Sequence, residues 1–377
     1  MLNSQIVATS ALFAAYRERG SALLEQARAG APIVGITSNT VPWELLRAAG
    51  CVPVLLSPSA GPTPHANLFM EAAFDPRIRQ ILESALAGEA AALRHVIIPR
   101  TSASELRLYL YLREFARQTG AESSAYLFDL LHTRSPRTRA YGMGRLIALK
   151  MALEEWTGQS IGDAALRSAI HESNAARQAI RRLLRLRRGE KPRLTGSEAM
   201  ALIGAWNFTN RGEYAALLDH AIPEIRRRPA LTGPRILIKG FPLDHLDLHR
   251  AIEGHGAVVV AEDDGCGSRA AGANIRPGGD PLAAIFAKYY LDAASPQVFP
   301  RQAADRWFER EVQHGVDGVV FYLPPYDEVY GWDYPRQRAF LDRHGIPHAL
   351  LRQHDGPDVS AQLDRFLANL KRPHGVA

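Results

Sequence analysis

Residues 33–56 read IVGITSNTVPWELLRAAGCVPVLL. Residues 33–36 form a short apolar strand and 37–40 a polar turn. Pro42 stands where a first helical turn begins and Gly50 where that helix stops, the placement each residue favours. Residues 52–56 resume as a strand. A strand, a helix and a second strand in this order predict a parallel pair joined by a helical crossover.

Working outward, the same rhythm continues. Residues 4–29 carry helical periodicity ending at Gly30, and a helical stretch runs to about residue 92. A third strand at 95–98 leads into Pro99-Arg100-Thr101. Ser102 suits an N-cap, with Glu105 three residues later in capping-box spacing. The helix that follows stops at Gly120, and 126–128 make a fourth strand. From about 138 to 230 the pattern changes to long helical periodicities without a convincing strand. At 234 the alternation returns: strand 236–238, turn 240–244, helix 245–256, strand 257–261 and the loop EDDGCGSR at 262–269. Strand 318–322, a long loop over 324–335, helix 336–345, strand 347–351 and helix 358–370 close the chain.

The predicted fold class is α/β, with two Rossmann-like parallel-sheet domains and a helical domain between them. The boundaries are an N-terminal helix at 1–30, a first α/β domain at 31–137, a helical domain at 138–232 and a second α/β domain at 233–377. Ligands of such sheets bind beyond the carboxyl ends of the strands. Those ends are residues 37–40, 99–102, 240–244, 262–269 and 324–327.

Composition excludes several function classes. The chain has 377 residues and 2 cysteines, Cys51 and Cys266, too few for a disulfide framework or a Cys-rich zinc module. Sparse cysteine fits a cytoplasmic home. No apolar run reaches membrane-spanning length, and no basic residue precedes Arg17, so the N-terminus reads as a mature helix. Net charge is +6. The stretch 177–193, RQAIRRLLRLRRGEKPR, holds seven arginines and one lysine against one glutamate, +7 in all, which leaves −1 for the rest. Basicity is therefore local, and the stretch predicts an amphipathic helix with a solvated basic face, a subunit contact, or a site for an acidic partner or nucleotide phosphate. Without a helix-turn-helix, zinc finger or RNP-type motif, no nucleic-acid partner is expected.

Single residues weigh as follows. Ser102 is accounted for as an N-cap, although a helix N-terminus also suits an anion or thioester carbonyl. Asp264 and Arg269 flank a glycine loop, where Arg269 could hold a phosphate or carboxylate, or the two could bridge internally. Asp327, Glu328 and Tyr330 form an acidic, aromatic loop open to proton transfer or to plain solvation. His245 and His249 have metal-like spacing without a clear third ligand, so a surface helix is expected and no metal. Cys51 opens an apolar strand and reads as core. No G-x-S-x-G elbow, P-loop or G-x-G-x-x-G is present.

The landmarks VPWELLRAAG (41–50), PRTS (99–102), TGQSIGDAALRSAI (157–170), GSEA (196–199), GFPLDH (240–245), EDDGCGSR (262–269), GVDGVV (315–320), WDYP (332–335) and HGIP (344–347) stand in a fixed order. In that order the chain resembles the benzoyl-CoA reductase / 2-hydroxyglutaryl-CoA dehydratase family over roughly residues 31–370. The resemblance implies a heterodimer of two related subunits, each with a [4Fe-4S] cluster on three cysteines, and an ATP-hydrolysing activator that injects one electron. The dehydratases of the family remove water from a 2-hydroxyacyl-CoA; its reductases reduce an aromatic acyl-CoA. The three ligand positions fall here on Ser38, Ser102 and Asp327 or its neighbour Tyr326. Hydroxyls hold iron–sulfur clusters poorly.

The expectation is a subunit of such a complex without a cofactor of its own. The [4Fe-4S] cluster would lie in a cysteine-bearing paralogous partner, and Ser38, Asn39, Ser102, Asp264, Arg269 and Asp327 would line the acyl-CoA pocket. Two alternatives stand beside it. One is a non-enzymatic binding or assembly protein on the same scaffold. The other is a redox-free enzyme using Ser38, Ser102 and Asp327.

Overall fold

The computed structural model describes every residue except 1, 29, 31, 58–60, 72–73, 89–92, 121–123, 241–245, 293–300, 324–329, 353–356 and 371–377. The fold is α/β, built on two four-stranded parallel sheets.

The first sheet holds β1 (Ile33–Ile36), β2 (Val52–Leu55), β3 (His95–Pro99) and β4 (Ser124–Phe128) in the order β2-β1-β3-β4. The second repeats that order as β6-β5-β7-β8, from β5 (Arg235–Gly240), β6 (Val258–Glu262), β7 (Gly318–Leu323) and β8 (His348–Arg352). Every pairing is parallel. In each sheet the winding reverses between the two central strands, so a crevice opens beyond the ends of β1 and β3, and again beyond β5 and β7.

Helices flank the sheets. Before the first sheet come α1 (Leu2–Glu18) and α2 (Ser21–Arg28). The single helix expected over 4–29 is thus two, broken where Arg19 and Gly20 take φ of 49° and 83°. Within the first sheet's span lie α3 (Trp43–Ala48), α4 (Pro76–Leu86) and α5 (Ala103–Thr119). Between the sheets in sequence lie α6 (Pro136–Thr157), α7 (Asp163–Arg187), α8 (Gly196–Gly204) and α9 (Arg211–Arg227). The second half adds α10 (Asp247–Gly254), α11 (Pro281–Leu291), α12 (Arg301–Gln313), α13 (Tyr330–Arg343) and α14 (Pro357–Leu370). Helix α13 corrects the expected loop over WDYP. Those residues are helical despite Pro335, which forfeits one backbone bond; buried Tyr330 and Asp333 anchor the segment.

The cores are shared unequally. One hydrophobic cluster runs from the first sheet (Ile36, Val54, Ile97) through α6, α7 and α9 (Leu149, Ile180, Leu218) to α11 (Ile285, Phe286). The second sheet is instead covered on two faces. Trp307, Phe308 and Leu341 pack on one, and Leu248, Ile252, Leu363 and Leu367 on the other. Met200 of α8 joins this last cluster, tying the helices to the second sheet. Gly196 makes that possible. A Cβ there would collide with Val259 of β6, so only glycine lets α8 start so close to the strand. Among the described residues no helix is long and apolar enough to cross a membrane.

Candidate functional site

Two strand-end loops meet across the molecule. The turn after β1 carries Thr37, Ser38, Asn39 and Thr40; the loop after β6 carries residues 263–269. Asn39 Nδ2 donates to the Gly265 carbonyl at 3.3 Å and faces Cys266 Sγ at 3.7 Å. Asn39 Oδ1 is buried and has no partner among the described residues.

On the first sheet's side, Ser38 and Ser102 flank the β1/β3 crevice. Both are half-buried. Ser38 Oγ accepts from Thr40 N at 3.2 Å and Thr40 Oγ1 at 3.1 Å. Ser102 Oγ caps α5 by accepting from Glu105 N at 3.1 Å. The expected capping box is only half formed. The Glu105 carboxylate turns to Thr101, accepting from its N at 2.8 Å and its Oγ1 at 2.5 Å, and from Thr37 Oγ1 at 3.4 Å. Arg77 braces the same turn by donating to the carbonyls of Thr37 (2.6 Å) and Leu56 (3.0 Å). Burial raises the Glu105 pKa, and the hydrogen bonds from Thr101, the charge of Arg77 and the Thr37 hydroxyl only partly offset it. Sequence reading took Glu105 for a capping residue and missed a buried carboxyl linking the two loops.

The second sheet's side is built from ion pairs. Glu262, at the end of β6, is gripped by Arg187 in a two-pronged bond of 2.7 and 3.0 Å, with both side chains fully buried. His249 Nε2 stands 3.6 Å from the same carboxylate. Burial works to raise the Glu262 pKa, but Arg187 and His249 outweigh it and hold the carboxylate ionised far below its ordinary range. Ser268 N donates back to Glu262 at 2.6 Å, folding the loop over itself. Gly267 must be glycine, because a Cβ would strike the Glu262 carboxylate. Next along, Asp263 pairs with buried Lys239 and with Arg269 at 2.8 Å. Burial opposes ionisation of Asp263, and Lys239 and Arg269 overcome it.

These contacts revise several expectations. Arg269 bridges to Asp263, not to Asp264; the Asp264 side chain instead accepts from Cys266 N at 2.6 Å and closes the turn. His249 lies fully buried, not on a surface helix, and His245 falls outside the described residues. Tyr326, Asp327 and Glu328 also fall outside them. The basic stretch is not one solvated face. Arg177 and Arg187 are buried, and Arg177 pairs at 2.6 Å with buried Glu44 of α3. Burial pushes the Glu44 pKa up, yet Arg177 and Arg211 bring it down to about 2. Lys239, Asp263 and Arg187 escaped the sequence reading. Lys239 at the end of an apolar strand was the one available signal.

Residues 39–364 match the sequence profile of the family described as 2-hydroxyglutaryl-CoA dehydratase, D-component. The chain belongs to this family. An Escherichia coli (strain K12) relative named "Putative dehydratase subunit YjiM" is 25% identical, over 90% of this chain and 91% of its own length. The beta subunit of (R)-2-hydroxyglutaryl-CoA dehydratase from Acidaminococcus fermentans is 23% identical, over 85% and 86%. The beta subunit of (R)-phenyllactyl-CoA dehydratase from Clostridium sporogenes is 21% identical, over 85% and 86%.

A cluster on three thiolates does not fit the dehydratase-family loops of this chain. Ser38 and Ser102 present hydroxyls already engaged by Thr40 and Glu105. Cys51 precedes β2, at the opposite end of the sheet, and burial pushes its thiol up to about 11, away from the thiolate a metal needs. That leaves Cys266 as the one thiol at these loops.

Proposed function

We propose that this chain is a subunit of a 2-hydroxyacyl-CoA dehydratase-type complex that carries no [4Fe-4S] cluster of its own. It shapes the pocket for an acyl-CoA thioester and docks a cysteine-bearing paralogous subunit, which an ATP-dependent activator would supply with electrons. The observation that carries this reading is the retention of the family's landmarks around two strand ends where serine hydroxyls stand in place of thiolates. The named relatives that are beta subunits of acyl-CoA dehydratases support the class of complex.

The chemistry left to this chain is binding and orientation. Ser38 and Ser102 each accept locally and keep a proton to donate, suited to a thioester carbonyl oxygen. The α5 N-terminus behind Ser102 adds a favourable field for a partial negative charge. Asn39 would fix the spacing of the two loops around the ligand through its bond to the Gly265 carbonyl. Asp264, Arg269 and Asp327 complete the proposed lining. The test is co-expression with a cysteine-bearing paralogue under anaerobic conditions. A stable heterodimer that dehydrates a 2-hydroxyacyl-CoA once activated is expected. Failure to associate with any such paralogue, while the paralogue works alone, would overturn the reading.

A further inference from the structure

The basic stretch of α7 has a use that ion pairing does not exhaust. A cavity of about 450 Å³ lies between α7, the loop after β6 and α12. Arg181 reaches it from α7, and Arg188 from the extended residue that caps that helix's C-terminus. Arg306 and Arg310 reach it from α12, four apart, and Arg269 from the loop, its guanidinium 5.6 Å from the Trp307 ring that also lines the wall. The carboxylate lining it among the described residues is Asp292, already paired with Lys288 at 2.6 Å.

Five guanidinium groups around one space repel one another unless something negative joins them. Their existing partners satisfy them only in part. Arg269 holds Asp263, and Arg188 and Arg310 share the buried Glu311 at 3.0 and 3.7 Å, but Arg188 Nε is buried without a partner. Arg181 is spent on the Gly272 carbonyl and the Asn274 amide oxygen, both neutral. Arg306 is exposed and makes no ion pair among the described residues. Burial, then the nearby Arg187 and Arg310, disfavour the charged form of Arg188, and Glu311 and Glu262 offset them only in part.

We propose that this cavity binds a ligand bearing clustered phosphate groups, its anionic oxygens bridged by Arg188, Arg269, Arg306 and Arg310. The nucleotide end of a CoA thioester belongs to this class, and that choice of source rests on the function proposed above. The cavity adjoins the same 262–269 loop whose other side touches Asn39, so one ligand could span both. Guanidinium is the cation best matched to phosphate, since its planar fork donates in pairs.

Isothermal titration of the full chain, at low and at physiological salt, tests this with CoA, inorganic pyrophosphate, ADP and phosphate-free pantetheine. CoA and pyrophosphate should bind, pantetheine should bind at least about tenfold more weakly than CoA, and salt should weaken the phosphate probes. The double variant Arg306→Ala, Arg310→Ala removes exposed side chains. It should lose tenfold or more for both phosphate probes, the scale of one charge-assisted hydrogen bond, while Arg306→Lys, Arg310→Lys recovers part. Phosphate probes that bind no better than pantetheine, or a double variant that binds them unchanged, would overturn the site. ADP and pyrophosphate matching CoA, with no gain from the pantetheine arm, would keep the site and reject the thioester as its source. Binding of pantetheine with none of pyrophosphate or ADP would reject the site and leave the proposed function standing.

Discussion

The two sheets share a strand order, yet the loops at their carboxyl ends are held by opposite means. Beyond β1 and β3 the linking carboxyl, Glu105, accepts only from neutral hydroxyls and an amide, and burial raises its pKa despite the nearby charge of Arg77. Beyond β6 the carboxylates Glu262 and Asp263 face buried Arg187 and Lys239, with Arg269 beside them, and their pKa values fall. The first loop pair is thus assembled from modest, exchangeable hydrogen bonds. The second is a fixed platform whose parts tolerate no missing partner. Similar backbone plans therefore say little about how rigidly a strand end is held; the charges that end the strands decide that.

The largest effect should come from breaking the platform. Arg187→Ala strips the fully buried Glu262 of its guanidinium partner, and should cost about 3–5 kcal/mol of unfolding free energy in a urea titration. A loss below about 1 kcal/mol would erase the contrast between the loops. Arg187→Met with Glu262→Leu should be far milder than the single change, because no charge is stranded.

Acid separates the two sides next. Depressed carboxylates contribute stability that is present above their ordinary 4.5 and lost as pH falls through the folded value, about 2 for Glu44. A raised one contributes stability that is present below 4.5 and lost as pH rises through its folded value. Wild type should therefore lose stability on acidification from pH 4.5 toward 2. Its advantage over Glu105→Gln should shrink as pH rises from 4.5. An advantage that grows instead would contradict the dominance of burial over the charge of Arg77 at Glu105.

Smaller effects sharpen the first loop pair. Ser102→Ala removes the α5 cap and should cost about 1 kcal/mol, whereas Ser102→Asp keeps most of it. Asn39→Ala breaks the contact between the loops and should cost under about 1 kcal/mol of stability, as a single part-buried hydrogen bond. Hydrogen exchange of residues 264–267 should still quicken in it.

Much of this was legible in the sequence, and for a reason. Apolar runs such as IVGI and VVVAE, bounded by Pro42, Gly50 and Gly256, specify strands and turns locally, so the parallel α/β plan could be read directly. Ser102 as a cap was legible on the same terms, since it serves the helix next to it in sequence. What failed to show was long-range pairing. Arg187 meets Glu262 across 75 positions, and Arg177 meets Glu44 across 133. Nothing in an arginine-rich helix tells which guanidinium is buried. Glu105 misled differently: its spacing fitted a capping box, but Thr101 and Thr37 offered its carboxylate better donors than the cap did. The break between α1 and α2 shows the local limit too, since Arg19-Gly20 interrupts a periodicity that reads as continuous.

The central claim is that this subunit carries no cluster, and iron content tests it most directly. The chain is purified anaerobically, reconstituted with iron and sulfide, desalted and assayed for both per polypeptide. The account predicts a level near zero for this chain, while a cysteine-bearing paralogue treated alike takes up a full cluster. About four irons and four sulfides retained per chain would contradict it.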